Sequence, residues 1–128
     1  MTNSEPNSGS RLGADLYGLW RAGRDNLPTV AAVYSAAGDA LDAAAVGVAG
    51  AFVRSGNLPG VPYGPAYQPW VELHNILAKI CHDTADNIEA TADALCVATV
   101  EYARADYEAA SEFARLLEVN GEPRADVG

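Results

Sequence analysis

Leu73, Leu77, Ile80, Thr84, Ile88, Thr91, Leu95, Thr99 and Tyr102 recur at spacings of four and three that close on an eleven-residue repeat. That period is close to the pitch of an unstrained α-helix, so all nine side chains fall on one stripe of one rod. Beyond Pro69, which suits a first-turn position, residues 69–118 hold no proline or glycine. The pattern predicts a single helix over that span. A rod of this length without internal stops packs lengthwise against another rod.

Residues 11–54 supply the other rod. Leu12, Leu16, Leu19 and Trp20 open a helical pattern that Val30, Val33, Ala37, Leu41, Ala44, Val48 and Phe52 continue. Pro28 lacks a backbone donor and restricts Leu27, so a kink or short break is expected near residues 25–28. Ser55-Gly56-Asn57 supplies a stop. The connector, residues 55–68, carries Pro59, Pro62 and Pro65. It reads as a stiff chain reversal, with a polyproline recognition segment as the alternative. Residues 1–10 are polar and read as a disordered lead; residues 121–128 read as a disordered tail, with Gly121 and Pro123 as stop signals.

The expected architecture is therefore all-α: one domain over residues 11–120, an antiparallel hairpin of two long helices with the first kinked near Pro28. Folding the chain back places Leu95 opposite Pro28 and Tyr102 near Trp20 and Arg21. Two helices of this size bury little surface, so a partner, a second helical hairpin in a homo- or heterodimer, is expected. Ala90, Ala94, Val97 and Val100 lie off the main stripe and offer a second contact face. Trp20 and Trp70 join Ala94, Val97 and Val100 as partner-binding candidates.

Charge narrows the partners further. Acidic residues outnumber basic ones 17 to 8, for a net charge of −9. Nucleic acid and anionic membrane surfaces require clustered cations. The nearest approach to a cluster, Arg21 and Arg24, is offset by Asp15 and Asp25. The start, MTNSEPNSGS, lacks the basic and apolar regions of a secretory signal, and AAAVGVAGAFV at 43–53 is too short to span a bilayer.

Little points to catalysis. His82, Asp86 and Glu89 share a helical face and are possible metal ligands, but three exposed ligands on one helix rarely form a site without help. No metal, cofactor or enzymatic activity is expected. His74 reads as solvated or partner-facing. Cys81 and Cys96 lie about 22 Å apart along the predicted helix, too far for an internal disulfide. Both are expected reduced, with a bridge between chains as the alternative.

Tyr102-Ala-Arg-Ala-Asp106 resembles the YxxxD/E signal near the end of helical hairpins exported by type VII (ESX) secretion systems. The segment TADNIEATADALCVATVEYARADYEAASEF (84–113) is similar to the C-terminal part of the EspC-like excreted factors, and DLYGLWRAGRDNLPTVAAVYSAAGDAL to the opening helices of related small proteins. Trp70 is followed by Val71 and Glu72, and Trp20 and Gly23 lie inside the first helix, so the WxG turn of other relatives is absent. The resemblance implies a non-enzymatic protein, exported itself or helping to export another, cytoplasmic before export and at the surface or outside afterwards. It implies recognition of Tyr102 and Asp106 by the secretion ATPase, with a helical hairpin partner supplying the rest of the signal. On one continuous helix the ring and carboxylate would sit one above the other for a partner to read. The plainer alternative is a tyrosine at the edge of a core beside a solvated aspartate. The rival function is a cytosolic helical adaptor or chaperone that is not exported.

Overall fold

The computed structural model describes residues 8–53 and 64–122. These form α1 (Ser8–Arg21), a π-helical turn (Ala22–Asn26), α2 (Leu27–Ala45), the single-turn α3 (Val48–Ala51), α4 (Tyr67–Arg104) and α5 (Tyr107–Val119). The described residues are all-α, as the periodicity requires. They group into two compact units, one of residues 8–29 and 89–122, the other of residues 30–53 and 64–88.

Three boundaries correct the expected two-helix hairpin. Helix α1 begins at Ser8, inside the segment expected to be a disordered lead. The first helical zone stops at Ala45 and, after a turn at Val46-Gly47, ends with α3 at Ala51 rather than at 54. The rod expected over 69–118 is two helices, because α4 ends at Arg104 and α5 starts at Tyr107. The expected stop at Ser55-Gly56-Asn57, Pro59 and Pro62 of the connector, and Pro123 lie outside the described residues.

Pro28 leaves its mark as a π-helical turn over Ala22–Asn26, which overlaps the kink expected near residues 25–28 and extends upstream of it. The Leu27 N–H donates to the Ala22 carbonyl, five residues back, in place of the usual four. Proline cannot donate to residue 24, and its ring crowds that carbonyl; widening the preceding turn relieves the crowding without breaking the helix. The Thr29 hydroxyl donates to the Asp25 carbonyl at 2.7 Å, which takes up another acceptor left over by the irregular turn.

In the first unit, Leu16, Trp20, Ala103, Phe113 and Leu117 form the core, with Tyr17, Cys96 and Val100 packed against it. Phe113 meets Trp20 edge-on at 6.0 Å and Tyr17 edge-on at 5.9 Å. These arrangements suit the ring quadrupoles. Gly9 and Gly13, one turn apart on α1, allow the approach of α5. A Cβ on Gly13 would lie 2.5 Å from the Ala109 carbonyl oxygen, and one on Gly9 would lie 2.6 Å from Glu108 Cβ. Gly23 in the π turn does the same for α4, where a Cβ would fall 2.9 Å from both Ala92 O and Cys96 Sγ.

Helix α5 ends in a Schellman motif. Gly121 has φ of +68°, which glycine adopts without steric cost. The Glu122 N–H reaches the Leu117 carbonyl and the Gly121 N–H reaches that of Glu118. Gly121 is thus the stop that its sequence position implies. Glu122 does not trail away: its carboxylate sits 3.3 Å from Arg21 Nη1 and 3.6 Å from Arg24 Nε.

The second unit buries small side chains. Ala31, Val48, His74, Ala78 and Ala85 are buried, and Gly38 carries the His82 ring directly over its backbone. His74 Nε2 shares a hydrogen bond with the Leu41 carbonyl, and Trp70 stacks on the His74 ring at 4.7 Å. Phe52 caps this group at 5.6 Å from Trp70. The apolar stripe read from the sequence does not face inward here. Leu73, Leu77 and Ile80 are exposed while His74 and Ala78, one position along, are buried. Close backbone approach selects the narrow alanine face; leucine and isoleucine are too wide for it.

Candidate functional site

Tyr102 and Asp106 flank the elbow between α4 and α5. The last turn of α4 tightens, with the Ala105 N–H donating to Tyr102 O and the Asp106 N–H to Ala103 O. Asp106 then leaves the helix, with φ −131° and ψ 121°. Its Oδ1 accepts from the Glu108 N–H at 2.9 Å and the Ala109 N–H at 3.0 Å, while its own carbonyl receives the Ala110 N–H. Asp106 is the N-cap of α5, satisfying donors that the first turn cannot satisfy internally. The expectation that ring and carboxylate stack four apart on one continuous helix is corrected: the chain turns between them.

The elbow presents two aromatic rings to solvent. Tyr102 is 70% exposed, and Tyr107 in the first turn of α5 is more so. Arg104 pairs with Glu101 at 3.3 Å in the last turn of α4, where a cation suits the negative helix end. Ala103, between them in sequence, is fully buried in the core. The backbone under Tyr102 is therefore anchored, although the ring itself is free of the core.

The partner-facing candidates separate. Trp20 is 5% exposed, with Arg24 stacked over its ring at 5.1 Å, and so belongs to the core of its own chain. Val100 is partly buried against that core, and Trp70 is half-buried between Phe52 and His74. Ala94 and Val97 lie at the surface. Leu73, Ile76, Leu77 and Ile80, at helical spacings of three and four on α4, make a second exposed apolar row. Ile76 was not in the stripe read from the sequence.

Of the possible ligand set His82, Asp86 and Glu89, His82 turns to α2 instead. Its Nε2 lies 2.8 Å from Asp42 Oδ2. That hydrogen bond, with the added negative field of Asp42, Asp39 and Asp86, raises the imidazole pKa above its ordinary value. Cys81 and Cys96 are both free thiols. Burial pushes the Cys96 thiol up, and it donates to the Trp20 carbonyl at 3.6 Å, which marks it as a structural rather than a reactive cysteine.

The elbow had a sequence signal of its own. Asp106 followed by Glu108 and then Ala109, Phe113 and Leu117, each four apart, reads as an N-cap, an acidic first turn and a fresh apolar face. No described helix is long and apolar enough to cross a membrane. No family model, curated protein or solved structure matches this chain.

Proposed function

We propose that this chain is a non-enzymatic helical protein of type VII (ESX) secretion, exported itself or acting as the export partner of another protein. The observation that carries the reading is the exposed Tyr102 ring at the α4–α5 elbow, where Asp106 caps the helix that follows. A recognition signal requires a side chain that is accessible and a backbone that is fixed. Tyr102 has both, because Ala103 anchors the chain beneath it. Asp106 serves the signal by setting the direction in which α5 departs, and its second carboxylate oxygen is left over from capping to meet a cation on the secretion ATPase.

The exposed row Leu73, Ile76, Leu77 and Ile80 supports a helical partner. Anchors at these spacings are what an amphipathic helix presents to an apolar groove. The same row favours the second reading, a cytosolic adaptor that is not exported, since it supplies a partner face without any use for the elbow.

Export from the native host separates the two. Wild type should accumulate outside the cell, and Tyr102→Ala should remain inside at an undiminished cellular level. Wild-type protein that stays in the cytoplasm, with Tyr102→Ala binding its partner normally, favours the adaptor.

A further inference from the structure

Asp39 and Asp42 stand three apart on α2, and His82 reaches them from α4. Their donor atoms lie within 4.8 Å of one another. We propose that these three side chains bind one divalent transition cation, with zinc as the best fit, and that the ion fastens α2 to α4 within the second unit.

Geometry supports the proposal first. His82 Nε2 is 2.8 Å from Asp42 Oδ2 and 3.9 Å from Asp39 Oδ1. Zinc bonds of about 2.0–2.1 Å to nitrogen and oxygen put neighbouring donors of a tetrahedral site roughly 3.3 Å apart. The two observed separations bracket that value, so small rotamer adjustments of exposed aspartates suffice. The imidazole needs no such adjustment. A Cβ on Gly38 would fall 2.7–2.9 Å from three atoms of the His82 ring, so the ring is seated on bare backbone. Glycine at that position places the nitrogen donor where the two carboxylates can converge on it.

Donor chemistry points the same way. One imidazole with two carboxylates suits zinc and its neighbours, whereas magnesium and calcium favour oxygen donors alone. Two carboxylates neutralise the dication, and water completes the coordination. The set differs from the one that spacing along α4 suggested, because two of its three ligands come from the facing helix. It is independent of the export reading and implies no catalysis.

Proton competition follows from the same contacts. Nε2 is both the proposed ligand atom and the atom hydrogen-bonded to Asp42. Asp39 and Asp42 from α2 and Asp86 on α4 all favour the protonated ring, while neighbouring Lys79 is paired with Asp83. Zinc requires a neutral imidazole and ionised carboxylates, so affinity should fall as pH is lowered.

The test is calorimetric titration of the full chain with zinc chloride alone, at neutral and mildly acidic pH, with circular dichroism as the fold control. Wild type should take up one equivalent, more weakly at the lower pH. His82→Ala and Asp42→Asn should each weaken binding by at least about tenfold. Gly38→Ala, which removes no ligand, should weaken it as well, and the Cys81→Ser/Cys96→Ser double variant should bind as wild type does. At about a hundredfold excess over Kd, zinc should raise Tm by roughly 5–10 °C. Absence of saturable one-to-one binding overturns the proposal. So does binding that survives His82→Ala but disappears in the cysteine variant, since the thiols would then be the ligands.

Discussion

The unit of residues 8–29 and 89–122 closes on large rings, whereas the unit of residues 30–53 and 64–88 closes on alanine, glycine and histidine. In the first, Trp20, Phe113 and Leu117 are all but removed from water. In the second, Ala31, Ala78 and Ala85 are removed while Leu73, Ile76, Leu77 and Ile80 remain outside. Apolar burial scales with area, so the first unit gains far more stabilisation per side chain. The second packs Phe52 and Trp70 but leaves a row of leucines and isoleucines on α4 exposed. One unit buries its large apolar side chains, and the other leaves a row of them in water.

The largest test of that contrast is a pair of truncations. Phe113→Ala should destabilise the first unit by about 3–5 kcal/mol, whereas Leu77→Ala should cost the free protein less than about 1 kcal/mol. Denaturant unfolding read by native-state hydrogen exchange would measure both. A large cost for Leu77→Ala in the isolated chain would mean that the row is already covered by a second copy.

Glycines give the next largest difference. Gly13→Ala places a methyl 2.5 Å from a backbone oxygen, while Gly18 on the same helix has nothing within 4 Å. The first substitution should cost about 1–3 kcal/mol by forcing α1 and α5 apart. Gly18→Ala should stabilise by roughly 0.5–1 kcal/mol through helix propensity. Equal effects on thermal unfolding would mean that the α1–α5 seam yields to an added methyl.

At the elbow, Asp106→Ala should cost about 1 kcal/mol by uncapping α5, and Asp106→Asn should cost little, since asparagine caps equally well. Thermal melts of the two variants decide this. The smallest effect belongs to His82. Its folded pKa is raised above 6.5, so its pairing with Asp42 contributes fully below the unfolded value and fades as pH rises through the folded one. A proton titration of the ring in metal-free buffer should give a midpoint above 6.5, lowered by Asp42→Asn.

Much of this was legible in the residue pattern. Helical period and the absence of breakers gave the all-α class; Pro28 announced an irregular turn, and Gly121 announced the end of α5. The phase of α4 over Leu73, Leu77 and Ile80 is not legible this way, because counting large apolar residues finds whichever face carries them, packed or exposed; Thr99, on the same stripe, is buried. A second pattern was present beneath it. Ala78, Ala85, Ala92 and Thr99 recur every seven residues, and all four are buried. Small residues at heptad spacing mark a close helix contact, but their weak hydrophobicity hides them beside leucine and isoleucine. Gly9 and Gly13 carry no local signal for a related reason: their role depends on α5 returning over them, a long-range contact that no local window contains.

That return also changes what a signal at Tyr102 and Asp106 can mean. A carboxylate that caps a helix can abolish export by unfolding the elbow rather than by losing a contact, so alanine alone is a poor probe. The direct measurement is export of wild type, Tyr102→Ala and Asp106→Asn from the native host, with cellular levels and melting temperatures in parallel. Recognition of the elbow predicts that wild type leaves the cell while both folded variants stay inside. Asp106→Asn exported as efficiently as wild type would contradict a reading of the carboxylate charge, leaving Asp106 a helix cap alone.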